Sequence, residues 1–439
     1  MTTIPQVAEA MQRVLTTTAQ RVAHQTGFVQ RDSKLDGALF AQTMVFGCLR
    51  RPETKLGDLT QTAASLHLQI SNQGIDQRFT PAAAKLLKEV LDAAATEIIA
   101  AEPVAIPLLQ RFSAVIIQDG STIALPEELA TVWHGCGGSS PEAGAAALKI
   151  QVRFDLLSGT LQGPLLQDGR AHDQSATLQK VPLHKRALHL NDLGYFSLDA
   201  FHDIEAHGGF FLSRLKVQTM LFDTEGQRLD LASFLKAQAG PSLDLPVHMG
   251  AQHRLSVRLL AMRVAKSVAN ERRCKLKAAA RRKGQTVSKA RLALADWTIF
   301  ITNVPKELLT LEQALVLARA RWQIELLFKL WKQVGRIDEW RSKNPYRILC
   351  ELYGKLIAMV IQHWLILVGA WAYPDRSLIK AAEMVQGMAF TIALAMAGVI
   401  DIILVLTEIG SCLGFASRMN RRKKHPNTYQ LLLDLKEVA

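Results

Sequence analysis

No cysteine pair has CxxC spacing among Cys48, Cys136, Cys274, Cys350 and Cys412. That argues against a zinc ribbon and a disulfide framework, and it points to a reducing compartment. The twelve histidines show neither HExxH nor HxH, so no histidine-built zinc site is expected. Residues 1–20 lack the apolar h-region of a secretory signal. Nor is there a clean apolar run of about 20 residues. The stretches 356–372 and 388–406 are interrupted by Gln362 and His363, and by Thr391 and Asp401, so both read as buried core helices. No internal repeat is visible. Acids are scarce: 39 Asp and Glu face 52 Lys and Arg, a formal net charge of +13.

What is there is an ordinary globular composition. The 439 residues are 49% hydrophobic and 21% charged, which excludes wholesale disorder, collagen and coiled coil. The length suits roughly three domains. The positive charge is concentrated. Residues 250–300 hold thirteen Lys and Arg against Glu271 and Asp296, and 418–424 adds five basic residues and no acid. Two such runs in one chain point to nucleic acid rather than to a solvated face.

Residues 1–100 read as helical. Apolar residues recur at helical spacing over 35–48, two short helices fit 59–79, and Thr80-Pro81 reads as an N-cap followed by a first-turn proline. The polar set Gln69, Ser71, Asn72, Gln73, Gln77 and Arg78 suits contact with base edges and phosphates, or equally a plain polar helix face. From 113 the pattern turns to strand. Segments 113–118, 148–156 and 160–166 read as three strands, with a turn at Ser158-Gly159. The second alternates, with Ile150, Val152 and Phe154 on one face and Gln151 and Arg153 on the other. A helix over 173–181, a strand over 186–190, a helix over 198–207 and a strand over 209–217 follow. Three meandering strands, then helix and strand in alternation, is the order of an RNase H-like fold. Polar and then basic residues interrupt it over 218–295. Strand resumes over 297–303. One long helix is expected over 311–333, with Thr310 and Gln313 forming a capping box. Residues 345–439 read as helical.

Three acids have a notable placement on this order. Asp119 is expected at the end of the first strand, Asp192 follows the fourth, and Glu325 lies on the long helix. Strands one and four of an RNase H-like sheet are neighbours, so acids at their ends converge and a helix alongside can deliver a third. Three carboxylates in one pocket repel unless a cation neutralises them. Mg²⁺ prefers oxygen ligands. Two such ions about 3.5–4 Å apart can activate an attacking oxygen and stabilise a leaving one in phosphoryl transfer. Taken singly, each acid is more often structural than catalytic: a turn residue before Gly120 or Gly194, or a solvated helical Glu. Arg321, Glu325 and Lys332 follow R-x₃-E-x₆-K, whose steps of four and seven share a helical face. That pattern suits a metal site beside phosphates, or a surface i,i+4 ion pair.

On these residues the chain resembles the DDE transposases of the insertion-sequence-four family, whose signature is Y-x₂-R-x₃-E-x₆-K. Ala318 stands where the family usually has tyrosine. The Asp119-Gly-Ser block, the Asp192-Leu-Gly-Tyr195 block and the strand over 297–303 also resemble the family. The gap from Asp192 to Glu325 leaves room for the β-rich insertion placed there. The resemblance covers about residues 35–430. It implies that Asp119, Asp192 and Glu325 are catalytic and bind two Mg²⁺ ions, with Mn²⁺ able to substitute. It implies that Arg321 and Lys332 contact transposon-end phosphates and that Trp297 stacks on bases at a hairpin end; against this, Trp297 reads equally as a half-buried strand aromatic. Arg214, late in the fifth strand, and Arg281, Arg282 and Lys283 in the basic run are further DNA-binding candidates.

The expected fold class is α/β: an RNase H-like core interrupted by a β-rich insertion, with helical N- and C-terminal regions. The expected domains are a helical DNA-binding domain (1–105), the core in two parts (106–217 and 296–345), the basic insertion (218–295) and a helical dimerisation region (346–439). The expected function is cut-and-paste transposition by two-metal hydrolysis and strand transfer, through a hairpin. The partners would be double-stranded DNA, as terminal inverted repeats and as target, and a second copy in a synaptic homodimer. The expected location is the prokaryotic cytoplasm at the nucleoid, with no membrane. Two alternatives stay open: a metal-dependent nuclease of the same fold that cuts without joining, and a non-catalytic DNA-end-binding inhibitor.

Overall fold

The computed structural model of the chain describes residues 3–31, 33–135, 145–172 and 184–435. The helix expected over 173–181 lies outside them. Among the described residues there are nine strands: β1 (Val115–Ala124), β2 (Ala147–Asp155), β3 (Leu161–Asp168), β4 (Leu188–Asn191), β5 (Phe210–Arg214), β6 (Leu221–Phe222), β7 (Ser242–Met249), β8 (Leu255–Arg263) and β9 (Trp297–Thr302). The chain builds two units from interleaved segments. The first comprises 1–110, 118–181 and 322–430; the second comprises 111–117, 182–321 and 431–439. Residues 115–117 of β1 belong to the second unit and the rest of β1 to the first.

The first unit is organised around the 25-residue helix Pro345–Gly369. Asn344 caps it by accepting from the Tyr346 N–H at 2.9 Å, and Pro345 takes the first-turn position, where its missing N–H costs nothing. By length and composition this helix could cross a bilayer, yet 89% of its most apolar window is buried. It packs against helices Gly37–Arg50, Pro81–Thr96 and Ile402–Ala416. A side chain at Gly369 would fall on the Gly410 carbonyl, so the approach to Ile402–Ala416 requires glycine there. Ile150, Val152 and Phe154 of β2 are buried as expected, but burial does not alternate along the strand. Gln151 and Arg153 are buried as well, so both faces of the strand are covered. The Arg153 guanidinium lies 3.4 Å from Gln118 Oε1, and burial lowers its pKa to about 10.

His363 is fully enclosed in this unit, and its Nε2 donates to the Gly159 carbonyl at 2.7 Å. Burial pushes its pKa from the ordinary 6.5 down to about 4. Because the folded value is depressed, the unfolded chain takes up the proton first as pH falls. The contribution of neutral His363 is therefore complete above about pH 6.5 and is lost toward pH 4. Lowering the pH from 7 to 5 should cost about 2 kcal/mol through this group alone, at 1.36 kcal/mol per pKa unit. Urea midpoints at the two pH values check it: His363→Gln should flatten the difference, and an equal pH dependence in the variant would remove His363 from the account.

In the second unit β1 pairs in parallel with β4, with Val115, Ile116 and Ile117 opposite Leu188, His189 and Leu190. β4 pairs in parallel with β5, and β5, β9, β8 and β7 then follow antiparallel. Phe201, from helix Leu198–Ala206, stacks on Phe211 at 4.3 Å over a core that includes Leu259 and Ile301. The insertion strands β7 and β8 therefore continue the core sheet beyond β9. Arg258 on β8 holds Asp244 on β7 through two bonds of 2.6 and 3.1 Å, and donates to the Val304 and Leu309 carbonyls. The basic run 266–282 is a 17-residue helix, Lys266–Arg282, in which only Ala269 is buried. Its Ala, Lys and Arg content favours helix without a core to pack on.

The single helix expected over 311–333 is two helices, Leu311–Ala320 and Trp322–Gln333. At the junction the Arg321 N–H bonds the Arg319 carbonyl instead of one four residues back, which interrupts the ladder. Neither glycine nor proline marks the break. The capping box at Thr310 and Gln313 is present as expected.

Candidate active site

Asp119 does not end β1; the strand runs on to Ala124. What ends near it is the pairing with β4, whose last partners are Ile117 and Leu190. Asp119 follows Ile117 by two residues, and Asp192 follows Leu190 by two. The Asp119 side chain is half-buried and accepts from the Gly120 N–H at 2.8 Å.

Asp192 leaves β4 and precedes the short 3₁₀ turn Leu193–Tyr195, where its carbonyl accepts from the Tyr195 N–H at 3.0 Å. Buried Tyr195 and Phe196 hold that turn against the core. The Asp192 carboxylate is 42% exposed and lies 3.9 Å from Arg321 Nε. So long an ion pair between partly exposed groups adds little stability.

Glu325 sits in the first turn of Trp322–Gln333, where the helix dipole favours an acid. Lys332, two turns on, donates to the Thr122 carbonyl of β1 at 3.3 Å and so ties this helix to the strand that carries Asp119. Asp119, Glu325 and Lys332 belong to the first unit; Asp192 and Arg321 belong to the second. Among the described residues no three His, Cys, Asp or Glu side chains are gathered as a metal site.

The DNA-binding candidates of the second unit fall in two places. Arg214 and Trp297 line a cavity of about 430 Å³, together with Arg272, Lys275, Leu276, Ala279, Arg291 and Leu294 among others. Trp297 is only 5% exposed. It packs with Leu235 and Ala261, and the Arg263 guanidinium lies 4.8 Å from its ring centroid. Arg272 donates to the Trp297 carbonyl at 3.0 Å and to Thr298 Oγ1 at 2.9 Å; burial lowers its pKa, and nearby Arg214 lowers it further. By contrast Trp322 is 55% exposed. In the sequence Arg272 and Lys275 are two cations of the basic run, with nothing local to set them apart. The spacing 272, 275, 276, 279 is one helical face, and it was the signal for the wall they form.

Arg281, Arg282 and Lys283 stand exposed at the end of the basic helix. Upstream, Arg273 pairs with Asp296 at 2.5 Å and Lys275 with Glu271 at 2.6 Å. The three terminal cations make no ion pair among the described residues. Replacing all three by Gln should weaken duplex binding and reduce the log–log salt slope by ~0.9 for each phosphate no longer neutralised. Titrations at several salt concentrations measure it, and an unchanged slope would return this tip to solvent. Of the polar N-terminal set, Ser71 caps a helix through the Gly74 N–H and Asn72 accepts from Thr60, whereas Gln69, Gln73 and Gln77 are exposed.

The chain as a whole is similar to known proteins. The sequence pattern of the family described as Transposase DDE domain matches residues 110–361. The transposase for insertion sequence element IS231F of Bacillus thuringiensis subsp. israelensis is 26% identical, over 98% of this chain and 94% of its own length. The transposase for IS231B of Bacillus thuringiensis subsp. berliner is 26% identical over 78% of this chain and 75% of its own. The transposase for IS1151 of Clostridium perfringens is 25% identical over 78% and 76%. Among solved structures, a chain of the piggyBac transposase synaptic complex with hairpin DNA is similar over 93% of this chain and 85% of its own, at a TM-score of 0.44 and 9% identity.

Proposed function

The chain belongs to the DDE transposases, in the insertion-sequence-four family, and from that premise we propose that it moves its element by cut-and-paste transposition, with Asp119, Asp192 and Glu325 as the catalytic acids. As a member of that family it is an enzyme that binds DNA, cleaves it and transfers strands, and it depends on a divalent metal. The observation that best supports the residue assignment is the β1–β4 register. Two acids follow the last paired residues by the same two steps on parallel strands. Glu325 has support from lengths. Its seven residues to Lys332 rise about 10.5 Å along a helix, and the three residues from Asp119 to Thr122 span about 10 Å of strand. With Lys332 bound to Thr122, these near-equal lengths are what a helix parallel to β1 needs to carry Glu325 level with Asp119.

The donors fit a hard cation: all are carboxylate oxygens on half-buried side chains. Mg²⁺ is the proposed metal, and Mn²⁺ its substitute. When bound, two such ions supply positive charge for the attacking and the leaving oxygen of a phosphodiester. Arg321 and Lys332 take the phosphates of the element's end, Arg321 through its planar fork. Water cleaves one strand at the element's end and frees its 3′ hydroxyl. That oxygen attacks the opposite strand, closing a hairpin and releasing the flanking DNA with a 3′ hydroxyl. A second water opens the hairpin, and the restored 3′ hydroxyl then joins a target phosphate and displaces the target's own 3′ oxygen. A synaptic homodimer holds the two ends.

The test uses a pre-cleaved element-end duplex, a supercoiled plasmid and Mg²⁺. Joined products support the reading. Cleavage of intact ends without joining would replace it with a nuclease, and end binding with neither reaction would leave a non-catalytic binder.

A further inference from the structure

A second basic feature lies in the first unit, apart from the proposed cleavage residues. Helix Ile402–Ala416 buries Val405, Leu406, Ile409 and Leu413 and ends in a loop that leads to helix Thr428–Asp434. The loop carries Arg418, Arg421, Arg422, Lys423 and Lys424 with no acid between them. Its backbone is fastened at both ends. The Ser377 N–H donates to the Ser417 carbonyl at 2.7 Å and the Met419 N–H to the Asp375 carbonyl at 2.8 Å; Gln430 Nε2 reaches the Arg422 carbonyl at 3.4 Å. Arg418 is engaged, paired with Asp375 at 2.5 Å and lying 4.2 Å from the Tyr373 ring centroid. Arg422, Lys423 and Lys424 are exposed and make no ion pair among the described residues. A fastened loop thus holds three like charges together, an arrangement that a polyanion relieves.

Next to this loop stands Phe415, 87% exposed, the most exposed large hydrophobic side chain among the described residues. An exposed aromatic alone says little about what covers it. Beside a run of cations it matches a duplex, where an apolar side chain can wedge between base steps while flanking cations take the phosphates. We propose that Phe415 with Arg422, Lys423 and Lys424 forms a docking surface for target duplex DNA, and that Phe415 bends the duplex on binding. Phosphate contacts and an apolar wedge carry little base information. That suits a target, which changes from one insertion to the next, better than an end of fixed sequence. The inference rests on the transposition reading above.

Two variants of the full chain test it: the triple Arg422→Gln, Lys423→Gln, Lys424→Gln, and Phe415→Ala. Each is assayed for cleavage of intact ends, for joining of pre-cleaved ends to a linear target, and for binding of generic duplex at several salt concentrations. The expected result is end cleavage within twofold of the parent in both and joining reduced at least tenfold in both. The salt slope of the triple variant should be shallower by ~0.9 for each phosphate left without its cation. Joining by Phe415→Ala should recover on a target with a central mismatch, which bends at lower cost. Unchanged joining in the triple variant, or equal loss of cleavage and joining, would overturn the proposal. So would a smaller assembly for Phe415→Ala by sedimentation with duplex binding intact, since the face would then belong to a second copy. If the parent chain cleaves or binds ends but never joins them, the transposition reading itself fails, which is a different outcome from a defect confined to the variants.

Discussion

Replacing Asp119, Asp192 or Glu325 with Ala should abolish cleavage of the element's end while changing end affinity by less than about threefold, because affinity for DNA rests on phosphate contacts and the acids serve the chemistry. The loss should reach about 10⁴-fold or more. Groups that act as one unit lose their effect together, so Asp119→Ala combined with Glu325→Ala should be no slower than either single change. Folding should survive. The three side chains are half-buried, so truncating any one of them empties no core position. Labelled-end nicking in Mg²⁺, gel shifts and a thermal melt on one preparation measure all three quantities. A Glu325→Ala protein that still nicks would remove Glu325 from the mechanism, and a melt lowered in step with activity would make the loss structural.

The two tryptophans should separate by stability. Trp297 is buried between Leu235, Ala261 and the Arg263 guanidinium, so Trp297→Ala leaves a cavity and should cost about 3–5 kcal/mol. Trp322, half in solvent, should cost under about 0.5 kcal/mol on the same change. If Trp322 meets a displaced base at the hairpin, stacking worth about 1–3 kcal/mol is lost, and hairpin formation slows by roughly tenfold for each 1.4 kcal/mol. Nicking should then be spared. For Trp297→Ala, nicking and hairpin formation should fall together with the melting temperature. A stable Trp297→Ala protein defective only in hairpin formation would instead mean that DNA binding opens the cavity and exposes that ring.

The parts of the fold legible in the sequence were those written in side-chain periodicity and capping chemistry. Ile150, Val152 and Phe154 marked β2, and Thr310 with Gln313 marked a helix start, because alternation and caps depend on local side chains. The burial of Gln151 and Arg153 was not legible, since it depends on what covers the second face of β2. The extension of β1 past Asp119 was missed because Gly120, Ser121 and Thr122 read as a turn, whereas strand pairing is made by backbone groups that every residue has. The break at Arg321 lies among Ala, Arg and Trp, all tolerable in helix, so local propensity gave no sign of it. The candidate acids were found because their residue types and spacing relative to strands are themselves the chemistry. The equal two-step offset from Ile117 and Leu190 could come only from the register.

The continuation of the sheet from β9 into β8 and β7 means that 218–295 cannot be regarded as a detachable module. β9 pairs with β8 from Trp297 through Thr302 and, on its other side, with β5 from Phe300 through Thr302. Excising the insertion would strip β9 of one partner and leave a row of unsatisfied N–H and C=O groups beside the apolar Ile299, Phe300 and Ile301. An edge of that kind recruits strands from other chains. A shortened protein would therefore be expected to fail first by self-association, whatever its affinity for DNA, and shortening by design would have to blunt β9 with a charged residue or a proline.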